Sequence, residues 1–446
     1  MLKRIPALAL IALASTPTLP QETAMSGIIP YDTHVETLSN GLKVILIPMA
    51  DSQLVAYWSI VRTGSRDEVE PGRSGFAHFF EHMMFRGTEK YPADAYYEAL
   101  TTLGADGNAF TTDDLTAYYL SIAADDLGSI VDLESDRFQH LSYADSAFRT
   151  EAGAVYGEYR KNRTNPLYTL YEAMTGAAFE VHPYGHMVIG YEADIAAMPE
   201  LYEYSRSFFA HYYRPDNTIL FIAGDVDPTS AMTLIEEHYG GWEAGYVPPV
   251  MPTEPAQQAE RRVDVSFQGR TLPYLWVAYK FDSFDPADPI RVAAELLVEL
   301  AFGSTSEIYR QLVLEEQVVE FLQAEASANR DPTLLNIYAR VKDPERVEDV
   351  LAAIDATIAS FQAALPDGPR LTALKSRLKY EFLMGLETPE SVARQLARYI
   401  AISGGLEDVE TLYRTYDAIT ANDIRRAAQL YLKPERRTIA VLRQQE

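Results

Sequence analysis

The sequence predicts an α+β fold assembled from two copies of one unit joined by a linker, and three observations predict it. The chain runs to 446 residues, more than one ordinary hydrophobic core organises. Two late segments replay earlier ones in the same order. "PTLLNIYARVKDPERVEDVLAAIDATIASFQ" repeats the strand, acidic turn and helix of "DLTAYYLSIAADDLGSIVDLESDRFQ", and "YLKPERRTIAVLRQ" repeats "YYRPDNTILFIAGD". Between the copies, residues 244–260 are rich in Pro and Ala and carry no apolar periodicity, the composition of a linker. The expected units are residues 25–243 and 261–446.

The elements follow in order. "MLKRIPALALIALASTPTLP" sets two cations before a short apolar run, with Ala12-Leu13-Ala14 as a small-x-small cleavage site. The run is too short to span a bilayer, so residues 1–24 read as a secretory signal peptide and imply export to a bacterial periplasm. A start at Met25 would instead leave the protein in the cytosol. No later segment is long and apolar enough for a membrane span. "VETLSNGLKVILIPM" reads as two strands joined by an Asn-Gly turn, and "LVAYWSIVRTGS" as a third. A helix is expected over residues 73–86, and a second, "PADAYYEALTTLG", ends at Gly104. "DGNAFTTDDLTAYYLSIA" gives two strands around an Asp-rich turn; "DDLGSIVDLESDRFQ" and "DSAFRTEAGAVYGEYRKN" have helical spacing. "RPDNTILFIAGDV" is a turn and a buried strand. In the second half, "PIRVAAELLVELAFGST" takes the place of "RSGFAHFFEHMMFRGT".

Composition excludes several functions. Acidic residues number 64 against 38 basic, a net charge of −26, and no Lys/Arg-rich run offers a face for nucleic acid or an anionic membrane. There is no cysteine, which removes disulfides, thiol catalysis and thiolate ligands.

The chemistry concentrates in "GFAHFFEHMMFRGTEKYP", residues 75–92. On a helix, His78 and His82 share one face and can aim at one ion, while Glu81 stands beside it. A lone His on an apolar helix is usually a satisfied core residue. Two imidazoles and a carboxylate among Phe and Met side chains are costly to bury without a cation. Imidazole and carboxylate donors suit Zn²⁺. A third ligand must come from elsewhere. "FRTEAGAVYGEYRKN" supplies Glu151 and Glu158, two helical turns apart on one face, with Ala152, Ala154 and Gly157 small enough for close packing. Spacing alone leaves open which of the two binds. His182 and His186 in "HPYGHMVIG" read as loop residues near the cleft, because Pro183 and Gly185 oppose a helix; His34, His140, His211 and His238 have no evident partner.

H-x-x-E-H is the inverted zinc motif of the inverzincins. The chain resembles the pitrilysin/insulinase metallopeptidases, in particular their short members such as mitochondrial processing peptidase. "GRSGFAHFFEHMMFRGTEKYP", "GADGNAFTTDDLTAYY", "HPYGHMVIGYEADI" and "YYRPDNTILFIAGDV" carry the resemblance, which extends over nearly the whole chain after residue 30. It implies a zinc-dependent endopeptidase acting on unfolded peptides in a closed chamber. It implies two α/β-sandwich halves, each a mostly antiparallel sheet packed with helices. It assigns Zn²⁺ to His78, His82 and Glu158, the general base to Glu81, and a supporting catalytic role to Glu151. It also implies that the strand edge at Asn108 and Ala109 pairs with substrate backbone. One departure matters. Where family members carry an Arg and a Tyr that hold the substrate carbonyl, this chain has Val313 and Glu320, and neither can donate to a developing oxyanion. The resemblance therefore implies the zinc-bearing subunit of a heterodimer, with a homologous partner of similar size supplying the Arg/Tyr pair. The competing function is a non-peptidase scaffold or peptide-binding subunit related to respiratory-complex core proteins; its relatives have usually lost the zinc set that this chain keeps.

Overall fold

The computed structural model describes residues 27–445, so the predicted signal peptide and Met25 lie outside the described residues. The first half runs β1 (His34–Thr37), β2 (Lys43–Pro48), β3 (Leu54–Val61), α1 (Phe76–Met83), α2 (Ala93–Thr102), β4 (Asp106–Thr111) and β5 (Thr116–Ala123). It continues with α3 (Leu127–His140), α4 (Asp145–Asn162), α5 (Pro166–Ala178), α6 (Glu192–Ala197), α7 (Tyr202–Tyr212), β6 (Thr218–Gly224) and α8 (Pro228–Tyr239). The second half runs β7 (Arg261–Phe267), β8 (Tyr274–Phe281), α9 (Pro289–Phe302), α10 (Glu307–Tyr309), β9 (Val319–Ala326) and β10 (Thr333–Val341). It closes with α11 (Val347–Ala363), α12 (Gly368–Met384), α13 (Pro389–Ser403), α14 (Glu407–Ala418), α15 (Ala421–Tyr431) and β11 (Arg437–Gln444).

The two sheets have the same topology. The first has the order β1-β2-β6-β3-β5-β4 and the second β7-β11-β8-β10-β9. In each, one parallel pair (β2 with β6, β7 with β11) is followed by antiparallel pairs alone. The N-terminal hairpin strand β1 is the one addition. Its Asn-Gly turn places Gly41 at φ 92°, a conformation that glycine adopts without strain. The expected helix at 73–86 is shorter at its start: α1 begins at Phe76, and Met84–Arg86 tighten into a 3₁₀ turn.

Why β6 reads as an unbroken apolar run follows from its surroundings. All seven of its residues are buried, because both faces of the sheet are covered. Leu220 and Ile222 join the core under α1, with Phe76, Phe79 and Phe80. Ile219, Phe221 and Ala223 face the other way, onto Val392, Leu396 and Ile400 of α13. The second sheet repeats this. Leu275, Val277 and Tyr279 face α9, whereas Tyr274, Trp276 and Ala278 pack on Leu170 and Met174 of α5.

The covering helices are thus exchanged. α13, from the second half of the chain, lies on β3 and β6, and α5, from the first half, lies on β7, β11 and β8. Each visiting helix is capped at its C-terminus by cations of its host. Arg62 donates from Nε to the Ala401 carbonyl at 2.8 Å and Lys43 from Nζ to Gly404 at 2.6 Å. Arg261 donates from Nη1 to the Ala177 and Ala178 carbonyls at 3.0 Å each. Cations at these positions satisfy free carbonyls and oppose the helix dipole.

Candidate metal centre

α1 starts where it does because of Gly75 and Glu68. Gly75 has φ 92°, and a Cβ there would collide with the Ile189 carbonyl. The buried Glu68 carboxylate accepts from Gly75 N at 2.7 Å and Ala77 N at 2.6 Å, satisfying the first turn. Phe76, Phe79, Phe80 and Met83 then point into the core, which leaves His78, Glu81 and His82 on the open face. α4 crosses beside α1 with Ala152 and Val155 buried and presents Glu151 and Glu158 towards it.

His78, His82 and Glu158 come together. Their donor atoms all lie within 4.8 Å of one another. His82 Nε2 is 3.5 Å and His78 Nε2 3.8 Å from Glu158 Oε2, too far apart for good hydrogen bonds. Ligands of a tetrahedral zinc at about 2.0–2.1 Å stand roughly 3.3 Å apart, so this spacing suits a shared cation better than direct contact. Burial pushes the His78 imidazole down to about 4, against the pull of Glu158, so the ring is neutral and its lone pair is free to bind. The His82 imidazole beside it holds Glu158 below its ordinary value, against partial burial. Two imidazoles and one carboxylate meeting at one point fit a divalent ion.

The surrounding groups orient this set. Glu151, buried on α4, accepts from His82 Nδ1 at 2.8 Å, which fixes the tautomer and turns Nε2 to the common point. Arg86 pairs with the other Glu151 oxygen. Glu81 stands apart from the three donors, and its Oε2 accepts from Thr111 Oγ1 at 2.7 Å. Burial raises Glu81 above its ordinary value and the Thr111 hydrogen bond works against the rise.

Glu81, His82, Arg86, Asn108 and Glu151 line one cleft of about 390 Å³. Its wall is β4, the edge strand of the first sheet, paired on one side only, with β5. Asn108 is exposed at that edge, and Ala109 turns its side chain into the core. Asn108 Oδ1 accepts from Ala109 N at 2.9 Å.

His182 and His186 stay outside the donor cluster, and both are buried. His182 Nε2 donates to Asp331 of the second half at 3.1 Å, and His186 Nδ1 donates to the Met187 carbonyl at 2.8 Å. Val313 packs at the margin of the second core, and Glu320 is paired with Arg340 at 3.0 Å. Sequence reasoning overlooked Glu68, Thr111 and Arg86. Thr111 belongs to the quoted "GNAFTT" stretch, and Arg86 follows the His/Glu motif in "FRGT"; only their contacts with Glu81 of α1 and Glu151 of α4 single them out.

In the second half α9 and α12 meet as α1 and α4 do. Where the first half has His82, Glu299 accepts from Arg377 Nη2 at 2.6 Å, and Arg377 Nη1 reaches Glu381 at 3.1 Å. A guanidinium thus stands between two carboxylates at the counterpart of the donor cluster.

Comparison with known proteins agrees with this asymmetry. Residues 43–191 match the model described as Insulinase (Peptidase family M16), and residues 201–376 that described as Peptidase M16 inactive domain. The zinc protease PqqE of Helicobacter pylori is 25% identical over 414 residues, covering 91% of this chain and 92% of that protein. Mitochondrial-processing peptidase subunit beta of Lentinula edodes is 25% identical over 419 residues, covering 90% of this chain and 87% of that subunit. The crystal structure of a protease from Helicobacter pylori has the same fold, with a TM-score of 0.86 at 24% identity over 93% of this chain and 99% of the other. With the two models of that family matched in order along residues 43–191 and 201–376, this chain belongs to the insulinase (peptidase M16) family.

Proposed function

We propose that this protein is a zinc-dependent endopeptidase that hydrolyses unfolded peptides. The observation that carries the reading is the convergence of His78, His82 and Glu158 beside Glu81, in a cleft walled by a free strand edge. His78, His82 and Glu158 hold the ion and Glu151 orients His82. Zinc bound there supplies Lewis acidity to the scissile carbonyl and makes water more acidic. Glu81 takes the proton of the attacking water and hands it to the leaving amine; burial, which raises its proton affinity, suits both tasks. The peptide adds along β4, with Asn108 and Ala109 contacting its main chain, so binding needs no particular sequence.

The chain itself has no Arg/Tyr pair at Val313 and Glu320, the latter already paired with Arg340. A homologous subunit of similar size supplies that pair, and the two subunits enclose a chamber that excludes folded proteins. The leader at residues 1–24 directs the assembly to the periplasm.

The test is direct. The purified chain should bind one equivalent of zinc, and Glu81→Gln should keep the zinc while losing at least about 10²-fold in turnover. Adding the neighbouring-gene product that carries the Arg/Tyr pair should raise turnover of an internally quenched peptide. Absence of zinc, or full activity of the chain by itself, would refute the respective part.

A further inference from the structure

We infer that Thr111 is a positioning residue that ties the base Glu81 to the strand edge receiving the peptide, an inference that rests on the peptidase reading above. Thr111 Oγ1 donates to Glu81 Oε2 at 2.7 Å. Among the described residues nothing else hydrogen-bonds Glu81. The side chain has three rotatable bonds, so this one anchor decides where the carboxylate stands.

Thr111 is also the last residue of β4, opposite Thr116 of β5. In an antiparallel ladder, N–H groups point alternately to the neighbouring strand and away from it. The Ala109 N–H is bound by Asn108 Oδ1 rather than by β5. Ala109, and with it Thr111 two residues on, therefore direct their N–H groups to the free edge. A peptide laid along β4 finds an outward donor at Ala109, held only by a movable side chain. At Thr111 the hydroxyl of that same edge residue is committed to Glu81. The strand edge therefore meets the base at Thr111, which sets the distance between the paired peptide and the carboxylate that must reach water. A misplacement of about 1 Å in such a group costs on the order of 10²-fold in rate.

The test uses the full chain loaded with zinc, with its partner if cleavage needs one, and an internally quenched unfolded peptide. Thr111→Val keeps the shape and removes the hydroxyl; kcat should fall roughly 10–100-fold. KM and zinc content should stay within about threefold, and Thr111→Ser should restore most of kcat. A fluorescein-labelled peptide should bind Glu81→Gln and Glu81→Gln/Thr111→Val proteins equally. The inference is overturned by an unaffected Thr111→Val enzyme, by failure of serine to rescue, or by a loss that tracks zinc content or peptide affinity. A zinc-loaded wild-type assembly that never cleaves would instead bring down the peptidase reading itself.

Discussion

Glu151 never reaches the donor cluster directly, yet it decides which imidazole nitrogen does. It holds His82 Nδ1 at 2.8 Å and is itself pinned by Arg86. Glu151→Gln should lower zinc affinity by about 10–100-fold, measured by competition with a chromophoric chelator, with little change in melting temperature. Glu68 acts one step further back. Replacing it by Ala frees two buried backbone donors at the head of α1, at about 1–3 kcal/mol each. Chemical denaturation should show that loss, and Glu68→Gln, which keeps one acceptor, should recover part of it. At this scale the sequence brought out the candidate pair His78 and His82 through spacing, because i, i+4 on a helix fixes a shared face. It could not rank Glu151 against Glu158, since both point the same way from α4 and only the His82 nitrogen that each one faces separates them. The resemblance assigned Glu158, and Glu158 is the one of the two whose oxygen lies within 4.8 Å of both the His78 and His82 donor atoms in the cluster. Thr111 and Glu68 were illegible for another reason: each acts by meeting α1 from a different element, and no local pattern encodes that meeting.

The elements themselves were largely legible. β6 is a continuous apolar run, α4 has helical spacing, and the replay of β5–α3 in β10–α11 follows the segments that suggested it. What the pattern concealed is who covers whom. An amphipathic helix advertises an apolar face but not its destination, and the sequence singled out neither α5 nor α13. Each covers the other half's sheet. Leu396 and Ile400 of α13 are fully buried against the first sheet, and Leu396→Ala should cost about 2–5 kcal/mol although it lies far along the chain from β3 and β6. By the same logic a fragment spanning residues 27–243 leaves the α13-facing side of its sheet bare. Expressed alone it should give no dispersed NMR spectrum, and adding the fragment 244–445 should restore one.

For the whole molecule, the two halves are also clamped through charge. Asp331 of the second half receives His182 at 3.1 Å and Arg66 at 2.5 Å from the first. Burial raises this carboxyl, but those two partners outweigh it and hold the group at about 2, below the ordinary 3.8. A depressed carboxyl stabilises the folded state above its unfolded value and loses that contribution as pH falls through the folded one. The clamp should therefore contribute about 2 kcal/mol above pH 4 and fade between about pH 4 and 2; denaturation of Asp331→Asn across that range should show a flatter profile. The Arg377 plug between Glu299 and Glu381 bears on the whole chain in another way. A guanidinium is covalently tethered and keeps its charge, so that half draws on no trace-element supply and a chelator has nothing to withdraw from it. Stripping the protein with EDTA should loosen α1 and α4 while amide exchange in α9 and α12 stays slow, leaving a polypeptide whose dependence on its surroundings is confined to one of its two otherwise matching ends.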